Sequence, residues 1–186
     1  MRILAVPGSL RAHSFNLRLA QAAVEAAPEG VEVVLWTGIG DLPLYDEDLD
    51  GGGAPAPVRR LREEWSAADA ILFATPEYNG SVPGGLKNAI DWASRPKPKA
   101  ALTDKTVAVA GASTGRFGAL WAQQDLKRIL GIAGARVVGT EIPVALAHER
   151  VDENGRLEDA ELFEQLRLHL TTLAAEAVGQ GDRLAA

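Results

Sequence analysis

Three short stretches of this chain concentrate the hydroxyl, amide, cationic and glycine residues that handle ligands. The first is Pro7-Gly8-Ser9-Leu10-Arg11-Ala12-His13-Ser14-Phe15-Asn16. It brings together the hydroxyls of Ser9 and Ser14, the amide of Asn16 and the guanidinium of Arg11. An apolar run precedes it and a helical pattern follows, so its backbone N–H groups and the helix dipole offer a place for an anion. A terminal phosphate monoester carries three acceptor oxygens and close to two negative charges. Hydrogen bonds to such a group contribute roughly 1.5–3 kcal/mol each. The plainer reading makes Ser14 a helix cap, with Ser9 and Asn16 closing a turn. Four donors from Ser9 to Asn16 favour phosphate. The stretch has neither G-x-G-x-x-G nor a Gly-Lys-Ser/Thr ending, so it suits a monophosphate better than a diphosphate.

The second stretch runs from Thr75-Pro76-Glu77-Tyr78-Asn79-Gly80-Ser81 through Val82-Pro83-Gly84-Gly85 to Leu86-Lys87-Asn88. Tyr78 offers a flat face, and the peptide groups around Asn79 and Gly80 can bond the edge of a planar heterocycle. A tight connection, with Ser81 as a cap and Pro83 in the first helical turn, accounts for the later residues but not for Glu77-Tyr78-Asn79. The third stretch, Gly111-Ala112-Ser113-Thr114-Gly115-Arg116-Phe117-Gly118, combines glycines that permit close backbone approach with donors at Ser113 and Arg116. Taken alone it is a weak signal, because Gly-rich connections are common. Together the three describe a phosphate site beside a platform for a flat ring, which is the description of FMN.

These stretches need a scaffold that delivers all three to one edge. Ile3–Val6, Val31–Trp36, Ala70–Ala74, Val107–Ala110 and Arg136–Val138 read as strands, most of them apolar throughout, as in a parallel sheet buried on both faces. Helical spacing appears at Leu17–Ala27, Val58–Trp65, Leu86–Ala93, Ala119–Leu130 and Leu162–Ala177. This alternation predicts one α/β domain over residues 1–186, a three-layer doubly wound fold on five parallel strands. Ligands of such sheets bind beyond the strands' carboxyl ends, where the three stretches lie. Gly40–Pro57 reads as a long acidic surface loop and Arg95-Pro96-Lys97-Pro98-Lys99 as a stiff basic connection. Asn154-Gly155 reads as a turn, and residues 179–186 as a frayed tail.

Composition narrows the function. The chain has 186 residues, 47% hydrophobic and 24% charged, an ordinary globular mix. With 19 basic and 25 acidic residues the net charge is −6, which argues against nucleic acid as a partner. There is no cysteine, hence no disulfide, thiolate metal site or Cys nucleophile. No apolar run is long enough for membrane insertion, and the expected setting is cytoplasmic. His13, His148 and His169 stand in separate contexts and suggest no metal site or triad. Asp46-x-Asp48-x-Asp50-Gly51 imitates a calcium loop, but Pro57 replaces the Glu that would supply its bidentate ligand.

Gly8-Ser9-Leu10-Arg11-Ala12-His13-Ser14-Phe15-Asn16 resembles the G-S-x-R-x-x-S-x-N phosphate loop of the NADPH-dependent FMN reductase family, which includes bacterial chromate and quinone reductases and azoreductases. Pro76-Glu77-Tyr78-Asn79, with Ser81, Pro83-Gly84 and Leu86-Lys87-Asn88-Ala89-Ile90-Asp91-Trp92, is similar to its second signature. The resemblance implies a flavodoxin-like sheet of order 2-1-3-4-5. It implies that Ser9, Arg11, Ser14, Phe15 and Asn16 hold the FMN phosphate. By the same resemblance Pro76, Glu77, Tyr78, Asn79 and Gly80 contact the isoalloxazine, and Ser113, Gly115, Arg116 and Gly118 close its other side. NADPH or NADH is then the co-substrate, a small molecule the electron acceptor, and the FMN carries the chemistry, so no side chain is cast as catalytic. A flavodoxin-type electron carrier without nicotinamide turnover is the alternative. The family's habit implies a homodimer or homotetramer, with Trp92 and Trp121 as interface candidates or else core residues. Relatives often have two glycines and an Arg where this chain has Gly118-Ala119-Leu120-Trp121, which makes Trp121 a candidate pocket residue as well.

Overall fold

The computed structural model describes residues 1–51, 53–152, 156, 157 and 159–185, so the Asn154-Gly155 turn lies outside the described residues. Two strands are buried at every position, β3 (Ala70–Thr75) and β4 (Thr106–Ala112). They form the centre of the sheet, as uninterrupted apolar runs require. β1 (Arg2–Pro7) pairs parallel with β3 on one side and with β2 (Glu32–Leu35) on the other. β5 (Arg136–Val137) pairs with the far side of β4, giving the order β2-β1-β3-β4-β5.

A sixth, two-residue strand, β6 (Pro143–Val144), is added to the expected five. It continues the β5 edge by pairing Pro143 with Gly111 and Val144 with Ala112. Proline cannot donate to a ladder and is tolerated at such an edge start. Two residues beginning with Pro leave no strand signal in the sequence.

Helices α3 (Ala56–Ala67), α4 (Gly84–Ala93) and α5 (Leu120–Ile132) cover one face of the sheet. Helices α1 (Phe15–Glu25) and α6 (Ala160–Ala185) cover the other. Under the first face Trp36, Trp65 and Phe73 make consecutive edge-to-face contacts at 5.4 and 5.3 Å, an arrangement worth about 0.5–1.5 kcal/mol per pair beyond area burial. Trp92 belongs to this core: it is fully buried and donates its indole N–H to the Pro43 carbonyl at 2.8 Å. That removes it as an interface candidate.

The acidic segment is more ordered than the expected loop. It contains a 3-10 turn at Gly38–Asp41 and the short helix α2 (Glu47–Gly51). Asp50 receives two hydrogen bonds from the Arg62 guanidinium of α3, at 2.7 and 2.9 Å, and these hold its carboxyl below the usual range. A fork-to-fork pair of this kind docks a charged segment that composition alone marks as solvated. At the other end α6 runs from Ala160 through Ala185.

Candidate functional site

All three polar stretches leave carboxyl ends of neighbouring parallel strands, β1, β3 and β4. They meet in a cleft of about 120 Å³ lined by Ser9, Arg11, Ser14, Phe15, Asn16, Pro76, Glu77, Tyr78, Ala112, Ser113 and Thr114. A larger depression of about 570 Å³ runs along α1 and the start of α6 beside Leu17, Arg18 and Phe163. Its walls are mostly helix surface. Topology selects the smaller cleft, because only there do the strand ends converge.

The first loop is built to expose donors. Gly8 lies so close to α4 that a Cβ would stand 2.7 Å from Leu86 Cδ2, and its N–H bonds the Ala74 carbonyl at 2.8 Å. Ser14 is the N-cap of α1, its Oγ accepting from Asn16 N at 3.1 Å. The capping reading of Ser14 therefore holds, yet the hydroxyl hydrogen remains free to donate. α1 has no acidic residue in its first turn, so the positive end of its dipole is not neutralised locally. Ser9 Oγ lies 3.4 Å from Tyr78 Oη, which links the first loop to the second.

Asn16 is more constrained than a phosphate ligand needs to be. It is buried, its Oδ1 accepts from Ala112 N at 2.8 Å, and its Nδ2 donates to Ala112 O at 2.9 Å. This two-bond brace ties the start of α1 to the end of β4, 96 residues away, and leaves one amide hydrogen.

The second loop carries a tight turn. Tyr78 and Ser81 exchange backbone hydrogen bonds at 3.1 and 3.2 Å, while Asn79 and Gly80 take φ values of 53° and 75°. Two positive φ angles in sequence are the signature of an Asn-Gly hairpin turn. Ser81 does not cap α4; its hydroxyl donates to Asp125 Oδ2 of α5 at 2.5 Å. That bond, joined by Arg128, keeps the Asp125 carboxyl below its ordinary range. Glu77 turns toward α5 as well, Oε2 accepting from Ala122 N at 3.2 Å. The cleft's carboxylate is thus held on a helix N-terminus. Tyr78 is half-exposed at the mouth.

The third loop is fastened from behind. Ser113 N donates to Val144 O at 3.1 Å and Leu146 N to Gly115 O at 3.1 Å, so the β6 segment holds its course. Ser113 Oγ accepts from Gly115 N at 3.0 Å. Gly118, at φ 56°, is packed so tightly that a Cβ would stand 2.5 Å from the Pro143 carbonyl carbon. Its glycine serves backbone-to-backbone packing, outside the cleft lining. Gly115 and Arg116 are exposed beyond the lining, as are Asn79 and Gly80.

Three contributors escaped the sequence reading. Ala112 and Thr114 line the cleft, and the fully buried Gln123 joins Gly118 O and Ile142 N at 3.0 Å each. One of two adjacent glutamines, Gln123 and Gln124, on an amphipathic helix gives no signal of this; only Gly111, which a Cβ would bring within 2.8 Å of Gln123 Nε2, hints at crowding.

Comparison with known proteins identifies the family. Residues 1–149 match the model of the family described as NADPH-dependent FMN reductase. The chain is 42% identical over 174 residues to the NAD(P)H-dependent FMN reductase of Pseudomonas aeruginosa, covering 93% of each. It is 38% identical over 174 residues to the quinone reductase of Escherichia coli K12, covering 92% of each. Among solved structures it is similar to the flavoenzyme NAD(P)H:(acceptor) oxidoreductase of Paracoccus denitrificans, with a TM-score of 0.85, 35% identity, and 96% and 97% of the two chains covered. By sequence and fold, this chain belongs to the NADPH-dependent FMN reductase family.

Proposed function

We propose that the chain is an NAD(P)H-dependent FMN oxidoreductase whose acceptors are quinones and related small molecules, with chromate, azo compounds and free flavin as further members of the class. The observation that carries this reading is the convergence of Ser9, Arg11 and Ser14 on a small cleft at an unneutralised helix N-terminus. The cleft has a volume of about 120 Å³. That accommodates a phosphate and the start of a polyol chain, and leaves a tricyclic ring at the mouth.

When bound, FMN supplies the redox chemistry, taking a hydride from nicotinamide and yielding electrons to the acceptor. The chain's residues bind and orient. Arg11 neutralises phosphate charge, and the hydroxyls of Ser9 and Ser14 and the α1 N–H groups donate to its oxygens. Phe15 and Asn16 shape the floor, with Asn16 acting mainly through its Ala112 brace. Pro76, Glu77, Tyr78, Asn79 and Gly80 offer a face and backbone groups to the ring. Ser113, Gly115 and Arg116 flank its other side, and donors there favour the negative charge of a reduced ring. Gly118 supports that loop from behind.

Self-association as a homodimer or homotetramer is part of the proposal, by the family resemblance. Analytical ultracentrifugation checks it, and a monomer at micromolar concentration contradicts it. Among the described residues no helix is long and apolar enough to cross a membrane. We place the protein in the cytoplasm, where reduced nicotinamide is regenerated. The test of function is steady-state oxidation of NADPH and NADH by the FMN-loaded protein with a quinone. Sustained turnover is the expected result, whereas flavin binding without turnover would leave an electron carrier.

A further inference from the structure

Three large aromatic side chains stand in water on the second and third loops and the start of α5, of which Tyr78 lines the cleft. Tyr78, Phe117 and Trp121 are 46%, 58% and 50% exposed. Phe117 and Trp121 pack on each other with ring centroids 4.8 Å apart and planes tilted by 47°. Two contacts fasten the start of α5, which carries Trp121, to the second loop. Ala122, its neighbour, donates its N–H to Glu77 of the cleft wall. Asp125, one helical turn further on, receives the hydroxyl of Ser81, whose backbone pairs with Tyr78. Residues four apart share a helix face, so Trp121 stands on the face of α5 that holds the Tyr78 turn. Phe117 is tied to the same helix start by the Leu120 N–H, at 3.0 Å from its carbonyl.

We infer that the Phe117–Trp121 pair is a specificity-determining platform for flat, aromatic or quinonoid electron acceptors. The inference rests on the cofactor reading above and extends it to the choice of acceptor. Large aromatic surface left in water beside a ligand cleft marks a binding face. Two rings tilted against each other offer a planar guest offset-stacked and edge-to-face contacts, the geometries that aromatic pairs prefer. Small hydrated anions gain nothing from such a surface. The pair's role is confined to binding: in the overall exchange NAD(P)H, one proton and a quinone give NAD(P)⁺ and the hydroquinone, two electrons and two protons passing to the quinone oxygens.

The test compares 1,4-naphthoquinone with ferricyanide as acceptors for the FMN-loaded protein, in wild type, Trp121→Ala, Phe117→Ala/Trp121→Ala and Trp121→Phe. The ratio of kcat/KM for naphthoquinone to that for ferricyanide is expected to fall about fivefold to tenfold in the double variant, mainly through KM. Trp121→Phe is expected to recover most of the ratio. An unchanged ratio overturns the inference. So does an unchanged ratio accompanied by a shift in sedimentation, which would assign the pair to a subunit contact. Wild-type protein that takes up no FMN, visible at once in its absorption spectrum, overturns the cofactor reading and this inference together; normal turnover with an unchanged ratio overturns this inference alone.

Discussion

The two ends of the cleft are made differently. At the phosphate end two of the groups are buried and internally bonded, beneath an exposed Arg11: Ser14 caps α1, and Asn16 is locked to both backbone atoms of Ala112. At the ring end they are exposed, on a positive-φ turn and a loop whose side chains face water. A rigid end built from satisfied hydrogen bonds suits a fixed, charged tail, since its donors are in place before the ligand arrives. An open end with exposed rings suits a succession of visitors, nicotinamide and then acceptor. On the function proposed above, one end governs retention of the cofactor and the other governs selection among partners.

Substitutions at each end should separate these roles. Asn16→Ala leaves the buried N–H and C=O of Ala112 without partners, each a loss of about 1–3 kcal/mol. Urea unfolding should show a destabilisation of roughly 3 kcal/mol, with FMN affinity falling alongside. A change under 1 kcal/mol would dismiss the brace. Gly118→Ala comes next. Its Cβ would overlap the Pro143 backbone at a positive φ, for a loss of about 2–3 kcal/mol. The damage should reach the ring end through the β6 segment, and the thermal midpoint is the readout.

Arg11→Ala removes an exposed charge, so stability should hold within about 0.5 kcal/mol. FMN affinity should fall roughly 10- to 100-fold, with a weaker dependence on salt. Equilibrium dialysis at two ionic strengths would check both. The smallest effect belongs to Ser81→Ala, which frees the Tyr78 turn from α5 at about 1 kcal/mol. It also alters the acid response. Asp125 has a folded pKa below its unfolded value of roughly 3.9, chiefly through the Ser81 hydrogen bond and then Arg128. Its contribution is present above that value and is lost as pH falls through the folded pKa. The variant should lose less stability than wild type between about pH 4 and pH 2, and identical acid titrations would count against the tether.

How much was legible in the sequence follows the same division. Ile3–Val6, Ala70–Ala74 and Val107–Ala110 announce central strands because both faces are apolar. The ligand edge follows from topology, and the phosphate stretch from its local donors. What stayed hidden depends on partners far along the chain. Asn16 reads as a ligand, and its brace to Ala112 appears only once β4 lies beside α1. Gly118 reads as room for a ligand, whereas the space belongs to Pro143. Trp92 reads as interface material until the Pro43 carbonyl meets its indole. The helix in the acidic segment depends on Arg62, which local composition does not reveal.

The central claim is that the first loop grips a phosphate tail. Titrating the flavin-free protein with FMN and with riboflavin, which has the same ring and no phosphate, tests it most directly. Loss of two or more charge-assisted hydrogen bonds predicts that riboflavin binds at least about 100-fold more weakly. Equal affinities for the two would place the binding energy in the ring and contradict the account.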